Sequence, residues 1–134
     1  MIYAVDRVNA DPTILPNIRL GGLGIDDCSS PILGQAFLAQ LQRGNLNVMD
    51  SAGNVLDPRT IEAYTAAYSS PLTIPLAGAM NELKRPMVGY RARGSELDDS
   101  VMYPYYISAV PSLQEEIKAI VLMLKKLDWM FVQV

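Results

Sequence analysis

The chain has 134 residues, half of them hydrophobic, with a net charge of −3, no histidine and one cysteine. That is enough for one domain with a real core. The acidic balance and the absence of any dense Lys/Arg cluster remove the electrostatic footprint that nucleic acid requires. Without histidine the commonest general base, zinc ligand and nucleophile partner are all missing, so hydrolase and metal chemistries are disfavoured, and no cofactor-binding loop is visible.

In chain order, the first segment carries Ile2, Val5 and Val8 at helical spacing and stops at Asp11-Pro12, where proline pushes its neighbour out of α geometry. No basic region followed by an apolar stretch opens it, so no signal peptide is visible. Asn17 to Ile25 alternates well enough to predict a strand, despite Gly21, Gly22 and Gly24. Asp26-Asp27-Cys28 follows. Two carboxylates beside a thiol are too few ligands for a metal site of this kind. Cys28 has no partner in the chain, which leaves a free buried thiol or one half of a bridge to a cysteine elsewhere.

Ser30 to Arg43 predicts a helix with Ser30 as N-cap, Pro31 at its first position, Leu33, Ala36, Phe37 and Leu41 on one face, and Gly44 closing it. Asn45 to Asp57 reads as a turn-rich loop. Ile61 to Tyr68 predicts a strand, and Ser69-Ser70-Pro71 starts a helix that runs to Leu83 through Pro75, where one hydrogen bond is lost and a bend is expected. Met87 to Tyr90 predicts a third strand. A polar stretch from Arg93 to Ser100 separates it from a fourth, Tyr103 to Val110, whose tyrosines are expected in the core.

The segment from Pro111 predicts the best-defined helix. Ser112 and Glu115 form a capping box, Ile117, Ile120, Val121, Leu124 and Leu127 line one face, and Lys125-Lys126 suit the C-terminal dipole. Trp129 to Val134 reads as a final strand. No stretch approaches the ~20 apolar residues that span a bilayer.

Strand and helix alternate with no hairpin dipeptide between strands, which predicts an α/β fold: a layered, mostly parallel sheet with helices on both faces. Starting in a helix and ending on a strand, it is expected to be incomplete at both ends. In such sheets ligands bind beyond the carboxyl ends of strands, at helix N-termini. Two places fit, Ser69-Ser70 and Arg91-Ala92-Arg93. Together they would take a carboxylate or phosphate, since arginine forks match planar anions. The plainer alternative has Ser70 capping its helix while Arg91 and Arg93 pair with Glu96, Asp98 and Asp99 on a solvated loop.

Four pieces in order carry a resemblance that covers nearly the whole chain: Ala4-Val5-Asp6-Arg7-Val8-Asn9-Ala10-Asp11, Leu15-Pro16-Asn17-Ile18-Arg19-Leu20-Gly21, Ile25-Asp26-Asp27-Cys28-Ser29, and Tyr90 through Pro111 into the helix ending at Asp128-Trp129. They resemble the membrane-distal lobe of the Venus-flytrap domain of class C G-protein-coupled receptors, the metabotropic glutamate and calcium-sensing receptors. The resemblance implies a periplasmic-binding-protein-like type I lobe spanning 1–134 as part of a receptor ligand-binding region, not an enzyme. It also implies an extracellular position at the plasma membrane, a disulfide from Cys28 to a cysteine preceding residue 1, and G-protein coupling through a membrane domain beyond this chain.

Family members that bind α-amino acids hold the carboxylate at positions matching Ser70, Arg91 and Arg93. Here Ser70 keeps the pattern, the two arginines replace small hydroxyl residues, and Leu113 stands where glutamate receptors of the family have an acid that holds the amine. The expectation is a small-molecule ligand other than ordinary glutamate, with the arginines favouring an anion. Homo- or heterodimerisation through the helices from Ser30 and Pro71 is also implied. A soluble periplasmic-type binding protein and a non-binding dimerisation module are the alternatives.

Overall fold

A computed structural model describes residues 2–50, 52–129 and 131. Its frame is three parallel strands, β1 (Tyr64–Thr65), β2 (Met87–Gly89) and β3 (Tyr106–Ser108), in the order β1-β2-β3. Tyr64 pairs with Met87, Met87 with Tyr106, and Gly89 with Ser108. Parallel neighbours need a crossover connection, and between β1 and β2 it is α3 (Ser70–Leu83). The ladder runs past the formal strand ends: Ala66 N donates to Val88 O at 2.9 Å and Ala109 N to Gly89 O at 2.8 Å.

The other helices are α1 (Ile2–Ala10), α2 (Pro31–Gln42) and α4 (Leu113–Lys126). All four helices lie where the apolar spacing predicts them, and the mixed α/β arrangement with a parallel sheet is the one expected. In α2, Ser30 accepts from Leu33 N, as an N-cap should. Helix α3 continues through Pro75, whose missing N–H leaves the Pro71 carbonyl without its helical donor. It ends at Lys84, which adopts the left-handed conformation and donates its N–H to Met80 O.

The core lies where α3 covers the sheet. Met80 and Ala77 of α3 are fully buried and pack with Ala66, Met87, Ala92 and Leu97, with Leu38 of α2 and Tyr103, Tyr105 and Tyr106 around them. The tyrosines therefore sit where the core reading put them. Thr73, the one buried polar residue of the described chain, donates its hydroxyl to Ala67 O at 3.1 Å and so ties the first turn of α3 to the end of β1.

Three expectations need correction. Asn17 to Ile25 forms no strand. No strand of the described residues lies beside it to complete a ladder, and its backbone is held instead by Asn9, whose amide bonds both the N–H and the carbonyl of Leu20, at 2.8 and 2.9 Å. Only Tyr106–Ser108 of the segment Tyr103 to Val110 is strand, because Pro104 has no N–H to give a ladder and Tyr103 and Tyr106 close a turn around it. The capping box of α4 is half formed: Ser112 accepts from Glu115 N, but the Glu115 carboxylate takes Lys118 at 2.6 Å instead. The strand expected at 129–134 lies mostly outside the described residues; Trp129 and Phe131 have no regular structure.

Helix α4 buries none of its residues among those described, and Ile117, Leu122 and Met123 of its surface remain half or more exposed. No described helix is long and apolar enough to cross a membrane.

Gly89 fixes how β2 and β3 meet. A methyl added there would lie 1.9 Å from the Tyr106 hydroxyl and 2.5 Å from its Cζ, so the ring has to leave its place. Gly89→Ala is expected to destabilise the domain by about 1–3 kcal/mol, the usual range for overpacking. Urea unfolding of the full-length ligand-binding domain checks this, and Gly89→Ala should cost less in a Tyr106→Ala background than in the unaltered domain.

Candidate functional site

Because β1 and β2 run parallel, their carboxyl ends lie side by side. The chain leaving β1 reaches Tyr68-Ser69-Ser70 and the start of α3. The chain leaving β2 reaches Arg91-Ala92-Arg93. These six residues line one cleft of about 560 Å³. The structure thus brings together both groups singled out from the sequence.

The helix start differs in detail from the expected capping role. Ser69 holds the N-cap position but makes no side-chain cap, and Ser70 is the first helical residue. The Ser70 hydroxyl points across to the other strand's loop and accepts from Arg93 N at 3.0 Å and Gly94 N at 2.8 Å. A hydroxyl accepting two N–H groups keeps its own proton for a third partner. The approach is close enough that a methyl on Gly94 would sit 3.1 Å from Ser70 Cβ, so glycine is what lets the loop come this near.

The arginines also find partners other than those expected. Arg91 lies over the ring of Tyr68, its guanidinium carbon 3.9 Å from the ring centroid, a cation–π contact. Arg93 pairs with Glu116 on the first turn of α4. Neither takes Glu96, Asp98 or Asp99; Asp99 instead accepts from Val101 N and Met102 N, closing its own turn. Ala92 lines the cleft, yet its side chain is 4 % exposed and belongs to the core cluster. It therefore anchors the loop between the two arginines.

Tyr68 and Glu116 were not singled out from the sequence. Tyr68 could have been, standing immediately before the serine pair. Glu116 could not, because its link to Arg93 spans 23 residues and exists only once α4 is placed.

Two tyrosines beneath the site have phenols pushed above their ordinary pKa by burial: Tyr64, whose hydroxyl accepts from the Gln42 amide at 2.6 Å, and Tyr106. Both are held neutral and serve packing. The Tyr106 hydroxyl has no hydrogen-bond partner.

Elsewhere, Asp26 and Asp27 turn back on their own chain, accepting from Cys28 N and Ser29 N at 2.8 Å. These bonds hold Cys28 and Ser29 in left-handed conformation at the entry to α2. Cys28 is exposed, so the buried-thiol alternative does not hold. A second cleft of about 550 Å³ lies between the end of α1 and the segment after it, around Asp6, Asn9, Asp11 and Arg19. It has no helix N-terminus or strand end to organise it.

Comparison with known proteins shows the family. Residues 1–133 match the family described as receptor family ligand binding region. Metabotropic glutamate receptor 6 of Oryctolagus cuniculus is 33% identical over 145 residues, which cover 98% of this chain and 17% of that receptor. The same receptor from Rattus norvegicus is 32% identical over the same shares, and metabotropic glutamate receptor 4 of Rattus norvegicus is 29% identical over 98% of the chain and 15% of the receptor. The chain thus spans about a sixth of the length of these relatives.

Removing the hydroxyl in Ser70→Ala leaves two loop N–H groups without their acceptor. Because Ser70 is only half-buried, water can replace part of the interaction, and the loss expected is about 1 kcal/mol. Denaturant unfolding of the full-length ligand-binding domain measures it, and Ser69→Ala should lose far less.

Proposed function

Because this chain belongs to the receptor-family ligand-binding regions, among the class C G-protein-coupled receptors, we propose that it is part of a membrane-distal lobe that senses a small anion at the Tyr68–Arg93 cleft. The observation that carries this reading is the meeting of a helix N-terminus, with the free proton of the Ser70 hydroxyl, and two guanidinium groups at the carboxyl ends of adjacent parallel strands.

Each element has a role set by its chemistry. The start of α3 offers oriented N–H groups and the positive end of its dipole to a carboxylate. Ser70 holds the opposite wall at fixed distance and has a donor to spare. Arg91, braced on Tyr68, supplies charge with little freedom to lose on binding. Leu113, the first residue of α4, offers no counter-ion to an ammonium group. A site of this kind selects for a carboxylate and against the zwitterion of an ordinary amino acid.

In the intact receptor, closure of a second lobe over this wall couples binding to a G protein at the plasma membrane. In that context Cys28, exposed and at the head of α2, bonds to a cysteine preceding residue 1. The face of α2 that leaves Ile32 exposed is suited to pairing with a second receptor lobe. Sensing, not catalysis, is the role proposed.

An ammonium without its carboxylate partner forgoes a charge-assisted hydrogen bond of about 1.5–3 kcal/mol, roughly 10- to 150-fold in affinity. Calorimetry on the complete two-lobe domain is expected to show glutarate binding more tightly than glutamate by at least the lower figure. Arg91→Ser combined with Arg93→Thr should weaken the binding of both acids. Tight glutamate binding by the unaltered domain, abolished by Ser70→Ala, would contradict the proposal and restore an ordinary amino-acid site.

A further inference from the structure

The two arginines of the cleft are not equivalent. Arg91 has an aromatic ring beneath it and no ion-pair partner among the described residues; Arg93 is paired with the Glu116 carboxylate. A guanidinium beside a carboxylate contributes little net field to a ligand, whereas one stacked on a ring keeps its charge. Glu116 sits on the first turn of α4, one helical turn after Leu113, and so projects from the same face as the position that offers no acid to the cleft. It does not line the cleft. It reaches the cleft only through Arg93.

We infer that Glu116 is a positioning residue that sets the charge the cleft accepts: by neutralising Arg93 it leaves Arg91 as the single uncompensated cation and restricts the site to one carboxylate. This deepens the sensing role proposed above and rests on it. The pair is half-exposed, 43 % for Arg93 and 40 % for Glu116, so its own contribution to folding is small. That separates its electrostatic effect on a ligand from an effect on the fold. It also means that a second carboxylate on a ligand meets Glu116 as a fixed competitor for the Arg93 fork, a repulsive element of the kind that sets specificity.

The link has a structural consequence as well. Arg93 N is held by Ser70 while its guanidinium is held by α4, so this one residue connects the start of α3 to the start of α4 across the cleft. A dianion that captured Arg93 would have to break the tie to α4.

The test compares butyrate, with one carboxylate, and glutarate, with two, by calorimetry on the full-length ligand-binding domain. The unaltered domain is expected to bind both with similar affinity. Glu116→Gln, which keeps the side chain's size and its carbonyl acceptor, should strengthen glutarate roughly tenfold and change butyrate by less than about threefold. Arg93→Ala added to Glu116→Gln should return the ratio to that of the unaltered domain, a reversal that a purely structural role for Glu116 would not produce. An unchanged ratio in Glu116→Gln, with both acids still bound and both lost in Arg91→Ser, overturns the inference and leaves the anion site standing. Binding of neither acid to the unaltered domain or to Glu116→Gln, or binding indifferent to Arg91→Ser, overturns both.

Discussion

Two backbone N–H groups, those of Arg93 and Gly94, converge on the Ser70 hydroxyl at 3.0 and 2.8 Å, and through this contact the loop after β2 is fixed against the start of α3. The geometry of the cleft follows from it. Parallel pairing brings the two strand ends side by side, but strand ends alone leave the loops free to splay. The hydroxyl sets their separation, Gly94 allows the approach, and Ala92 locks the middle of the loop into the core beside Met80 and Met87. The arginines on either side of Ala92 are thereby pointed away from the core, one onto Tyr68 and the other toward α4.

The core beneath is small, and its strength lies in the α3–sheet contact. Met80 and Ala77 seal one face of the sheet, while Thr73 joins α3 to the end of β1 through a buried hydrogen bond. The site is thus attached directly to the best-packed part of the domain. Positioning on rigid elements is what a binding site needs if little ordering is to be spent on the ligand. By contrast α1 and α4 bury nothing among the described residues.

The sequence made the helices legible because their signals are local. Pro31 and Pro71 near helix starts, Ser30 and Ser112 as caps, and a 3.6-residue period need no knowledge of distant partners. The strands were harder. Asn17 to Ile25 has a strand's alternation, but a strand exists only when a neighbour accepts its backbone, and here Asn9 does so through its side chain. The site was legible to the level of position: Ser69, Ser70, Arg91, Ala92 and Arg93 do meet. Their partners were not. Glu96, Asp98 and Asp99 are near Arg93 in sequence, but the short turn at Ser95–Asp98 buries Leu97 and directs Asp99 to its own backbone. Glu116, far along the chain, takes the place instead.

The shape of the cleft depends on whether Ser70 holds the loop. Amide hydrogen exchange, read residue by residue on the full-length ligand-binding domain without ligand, tests that directly. The Arg93 and Gly94 amides are expected to exchange roughly 10- to 100-fold more slowly than free loop amides such as that of Gly21, as bonded but half-exposed groups do. Exchange of Arg93 and Gly94 at the rate of Gly21 would show that the loop after β2 is not joined to the start of α3, and the cleft would not exist in solution.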